Sequence, residues 1–81
     1  MAVRRGRVVA VRLLRYTTWK CGRVERAVLG AMAAYLRRRP YAEWVPLEAI
    51  MAELEGRAEP SEVREAVGRL ARRRILEVRY G

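Results

Sequence analysis

The 81-residue chain has no histidine, aspartate, asparagine, glutamine or phenylalanine, and only one cysteine (Cys21), one serine (Ser61) and two threonines (Thr17 and Thr18). Each shortage closes off some chemistry. Without imidazole and with a single thiol, no set of soft or nitrogen ligands is available for zinc. Nor can a nucleophile, a base and an orienting group be assembled for covalent catalysis. Nine Glu leave a carboxylate-only site as the one formal route to catalysis, so the chain reads as a non-enzyme that needs no cofactor. One thiol forms no intramolecular disulfide, which fits a reducing, cytoplasmic location. Cys21 itself reads as a small packed residue. The absent amides suit a thermophilic protein.

Long apolar runs are missing too. The stretch 7–16 is broken by Arg12 and Arg15 and is not followed by the small residues of a cleavage site. Nothing approaches the roughly 20 apolar residues that span a bilayer, so no membrane partner is expected.

What is present is arginine. Seventeen Arg and one Lys against nine Glu give a formal charge of +9. Residues 1–39 carry +10, residues 43–65 carry −5 and residues 66–81 carry +4. Folding that brings the two ends together presents a basic face to a polyanion and turns the acidic middle away. The bland alternative is a solvated surface on an Arg-rich protein.

The order of elements follows from periodicity. Residues 7–16 are rich in β-branched side chains, with Val9, Val11 and Leu13 on one parity, and read as a strand. A basic amphipathic helix at a membrane surface is the competing reading of that segment. Thr17 or Thr18 caps a helix over 18–39, stopped by Pro40, with Val24, Val28, Ala31, Met32 and Tyr35 at helical spacing. A second helix is expected over 46–55, with Pro46 in its first turn and Gly56 as its left-handed stop. A third, over 60–73, buries Val63, Ala66, Val67, Leu70 and Ala71, and 75–80 closes the chain as a strand. The six aromatics are expected to pack mostly in the core, with Tyr41 and Tyr80 the most exposed. The chain is thus expected to be one domain of class α+β, mostly helical, with a small sheet made by its N-terminal and C-terminal strands.

In this pattern Trp44-Val45-Pro46-Leu47-Glu48-Ala49-Ile50 resembles the short strand and second-helix start of the winged helix-turn-helix family. Residues 61–76, from Ser61 through Arg64, Arg69 and Arg72 to Leu76, resemble its recognition helix running into the first wing strand. The resemblance covers residues 24–80 and implies a winged helix that binds double-stranded DNA, as a transcriptional regulator or a chromatin-type protein. It implies that Ser61, Glu62, Arg64, Glu65 and Arg69 face the groove, with Arg72 and Arg73 beside them.

Three features depart from the family. Glu62 and Glu65 sit where phosphate would be repelled, although acidic groups also favour a helix's first turn. Arg74 stands where the family turns on Gly, at a cost of roughly 1 kcal/mol in left-handed backbone. Only one strand follows the third helix, and a lone strand is not stable. The N-terminal strand is therefore expected to pair with 75–80, in one chain or across a homodimer, placing Arg4, Arg5, Arg7, Arg12, Arg15 and Arg79 toward phosphate. Dimers suit paired half-sites, and the small face of Gly30, Ala31, Ala33 and Ala34 is another place for such a contact. An RNA-binding or ribosome-associated module and a protein-interaction domain are the competing functions.

Overall fold

The Val-rich start of the chain forms the central strand of a sheet. The computed structural model describes residues 6–81 and contains β1 (Val8–Leu13), α1 (Arg23–Arg38), β2 (Val45–Pro46), α2 (Leu47–Glu53), α3 (Pro60–Arg72) and β3 (Leu76–Tyr80). The class is α+β, with three helices and one three-stranded antiparallel sheet in the order β2-β1-β3. The N-terminal and C-terminal strands pair within one chain, with Arg12 opposite Glu77 and Leu13 opposite Leu76. A third strand, in the segment that resembles the family's short strand, joins the N-terminal and C-terminal strands: Val45 and Pro46 pair with Val11 and Ala10 on the other edge.

A bulge changes the parity of β1. Val8 pairs with Tyr80 while Ala10 already pairs with Arg79, so Val9 is the extra residue. Val9 is consequently 45% exposed, and Val8 takes its place toward the core beside buried Val11 and half-buried Leu13. Strict alternation from Val9 was therefore the wrong register for the first half of the strand.

The first helix begins later than a cap at Thr17 or Thr18 implies. Thr17 and Thr18 do not cap it; residues 18–22 form a turn, and Gly22 is the N-cap. The Gly22 amide donates to the Glu25 carboxylate three residues on, at 3.0 Å, satisfying one of the free amides at the helix start. α3 uses the same device, the Glu59 amide donating to Glu62 at 2.9 Å, with Pro60 opening the helix. Gly56, with φ 83, makes the left-handed turn after α2.

The core is aliphatic. Leu29 and Met32 of α1, Ile50 of α2, Leu70 of α3, Leu54, Ile75, Leu76 and Val11 are essentially inaccessible. Truncating any of the buried leucines to Ala costs about 2–5 kcal/mol. None of the six aromatics is fully buried: Trp19, Tyr16, Tyr41 and Tyr80 are exposed, and Tyr35 and Trp44 are half-buried. The expectation of an aromatic core fails because Leu, Ile, Met and Val from all three helices already fill it. Cys21 is buried, as a small packed residue. Among the described residues, no helix is long and apolar enough to cross a membrane.

Candidate nucleic-acid interface

The exposed residues of α3 divide onto two edges. Arg64 and Arg72, two turns apart, lie on the edge that faces the end of the sheet. Gly68 and Ala71 lie between them and form a low floor with Val67. Across an open groove of about 620 Å³ stand Arg7 and Tyr80, with Leu47, Val8 and Val78 beneath. The strand ends meet closely enough to fix Arg7: the Gly81 amide donates to the Arg7 carbonyl at 2.9 Å. A Cβ on Gly6 would collide with the Gly81 carbonyl, so a side chain there would require one of the two strand ends to shift. Three guanidinium groups thus rim one groove whose floor is small and apolar.

The other edge of α3 is occupied by contacts to α1. Glu62, besides capping its own helix, faces Arg23 at 3.9 Å. Arg69 faces the buried Glu25 carboxylate at 3.7 Å and Glu65 at 3.9 Å. These acidic residues are therefore accounted for by helix capping and by their basic neighbours. Ser61 is exposed in the first turn of α3.

Arg73 is turned inward to a structural task. Its Nη2 donates to the Trp19 carbonyl at 2.8 Å, and its Nη1 lies 3.4 Å from both the Lys20 carbonyl and Cys21 Sγ. Arg15 in turn donates to the Arg73 carbonyl at 3.3 Å. The next residue, Arg74, has φ 57 and makes the left-handed turn into β3, so the turn is of the kind glycine favours. Arginine there costs roughly 1 kcal/mol relative to glycine.

Arg12 and Arg79 lie elsewhere. They occupy the sheet face opposite the core, on the parity of Glu77, and both stack on Trp44, with guanidinium carbons 5.3 and 4.4 Å from its ring centre. Arg12 is also ion-paired with Glu77. The structure therefore brings Arg7, Arg64 and Arg72 together and keeps Arg12 and Arg79 on another face. Arg4 and Arg5 fall outside the described residues. Among the described residues, no three acidic or thiol groups converge on a site that could hold a metal ion.

The sequence reading missed the turn before α1. Trp19 and Lys20 were expected inside a helix; instead they project beside Arg69, Arg72 and Arg73 at the far end of α3. The signal for a turn was Gly22 with Glu25 three residues later, the spacing of a helix start.

Comparison with known protein families, with curated proteins and with solved structures finds no match to this chain.

Proposed function

We propose that the chain is a winged-helix-type domain that binds double-stranded DNA without catalysing a reaction, and that α3 is the element presented to the duplex. The single observation carrying this reading is the convergence of Arg7, Arg64 and Arg72 on one open groove beside an exposed helix. The short helix α2 and the Gly56 turn that leads to α3, with a strand after it, suit insertion of α3 into the major groove. That groove is about 12 Å wide and admits one helix. β1, antiparallel to β3, stands where the second strand of a wing hairpin would stand. It thereby carries Arg7 to the position from which a wing reaches phosphate.

Charge placement supports the same orientation. Arg64 and Arg72 are free of the ion pairs that engage Glu62, Glu65 and Arg69 among the described residues. Glu53 and Glu55 belong to the end of α2 and the turn after it, segments that need not meet the polyanion, whereas Glu48 at the start of α2 lines a neighbouring hollow with Arg7 and Arg64. Affinity in such an interface comes mainly from phosphate contacts, and groove contacts by Arg64 or Arg72 to guanine edges would add sequence preference. The test is fluorescence anisotropy with a labelled arbitrary-sequence duplex beside a matched RNA hairpin. Tighter binding of the duplex supports the proposal, and tighter binding of the hairpin replaces it with an RNA-binding module.

A further inference from the structure

The turn before α1 holds a large aromatic side chain in water, in a shape the chain has to be forced to take. Trp19 is 69% exposed. Its amide is bound by Thr17 Oγ1 at 3.2 Å and its carbonyl by Arg73 at 2.8 Å. Lys20, next in the chain, has φ 55, a left-handed conformation that a residue with a side chain adopts under constraint. The Cys21 amide closes the turn on the Thr18 carbonyl at 3.1 Å. Packing does not explain this investment, because the indole contributes nothing to the buried core.

The surroundings of the ring indicate what it fits. Lys20 Nζ lies 4.6 Å from the indole centre. A shallow hollow of about 450 Å³ beside it is lined by Lys20, Arg69, Arg72 and Arg73, with Glu25 the one acidic residue. Arg72 also borders the groove that we assign to the duplex. Of the cations lining the hollow, Lys20 and Arg72 are the two that among the described residues are not engaged by Glu25, Glu65 or backbone carbonyls. A π-face flanked by these two suits a nucleobase whose phosphate lies against them, and stacking of this kind needs a base that has left its pair. Because the bonds to Thr17 and Arg73 already hold the backbone of the turn, little backbone order is lost when a base lands on the ring.

We propose that Trp19 is a stacking platform for an unpaired nucleobase at the edge of a duplex, so that the protein favours DNA with a single-stranded overhang over blunt DNA. This rests on the duplex-binding reading above and adds a second contact to it.

The experiment uses the full chain with Trp44→Phe, which leaves Trp19 as the only tryptophan. Labelled blunt duplex, the same duplex with a short overhang, and the overhang strand alone are titrated by anisotropy and by tryptophan emission. Should Trp44→Phe fail to fold, the emission difference between the unaltered protein and Trp19→Ala reports the same residue. The expected result is overhang DNA bound about tenfold tighter than blunt DNA, with Trp19 quenched by the overhang. Trp19→Ala should remove that advantage and leave blunt-duplex affinity within about twofold, since the residue is exposed and outside the core. Blunt duplex bound normally, with no gain from the overhang and no quenching, overturns the platform and leaves the duplex reading intact. Equal weakening of both DNAs by Trp19→Ala also overturns it. Quenching by the single strand with no binding of blunt duplex sustains the platform and refutes the duplex reading.

Discussion

The Arg73 guanidinium donates to the Trp19 carbonyl at 2.8 Å, tying the end of α3 to the turn that precedes α1. Two more contacts, to the Lys20 carbonyl and Cys21 Sγ, use the same planar group. An ammonium is a point charge without that fork. Arg73→Lys should therefore lower stability by about 1 kcal/mol, and Cys21 should react faster with a thiol reagent than in the unaltered protein. Denaturant midpoints and the rate of thiol labelling check both. An unchanged labelling rate would mean that the turn is held by other contacts.

Arg74 pays for its left-handed backbone without any side-chain hydrogen bond or ion pair among the described residues. Arg74→Gly removes that strain but gives the unfolded chain more freedom, so the net gain should be no more than about 0.5 kcal/mol. A higher melting temperature in the glycine variant is the expected outcome.

β1 is the middle strand of the sheet, and its Val11 is completely buried. Removing residues 1–16 leaves β2 and β3 without a partner, and strands in isolation are unstable. The truncated chain should lose its cooperative thermal transition by circular dichroism. Retention of a native transition would refute the structural importance of this strand.

Much of this architecture was legible in the sequence, and the failures have physical causes. The three helices and two long strands follow from periodic apolar residues, and the left-handed stop at Gly56 follows from its residue type. The start of α1 was misplaced because Thr17 and Thr18 carry the residue type of a cap but stand before a turn whose shape depends on Arg73, more than fifty residues away. No local pattern reports such a contact. The bulge at Val9 is equally invisible, since it depends on the register against β3. Among the candidate site residues, Arg64 is one that the resemblance to a recognition helix implies, with Arg72 beside it. Arg12, Arg73 and Arg79 could not be sorted from them, because only the folded chain shows which arginines are already engaged with Trp44, Glu77 or backbone carbonyls.

That sorting yields a direct contrast. Arg64→Ala with Arg72→Ala should weaken duplex binding by about tenfold or more. Arg12→Ala with Arg79→Ala removes the same charge from the opposite sheet face and should change affinity by no more than about threefold through long-range attraction. Anisotropy titrations of the two double variants, each first checked for folding, decide the matter. Equal losses would show that total charge governs binding and that the groove has no special part.

The central claim is most directly tested by the salt dependence of duplex affinity. Three to five phosphate contacts predict a slope of log affinity against log salt of about −3 to −4.5, and Arg64→Ala with Arg72→Ala should make it shallower by about 2. The account predicts both. A flat salt dependence, or a slope that the double variant leaves unchanged, would contradict it.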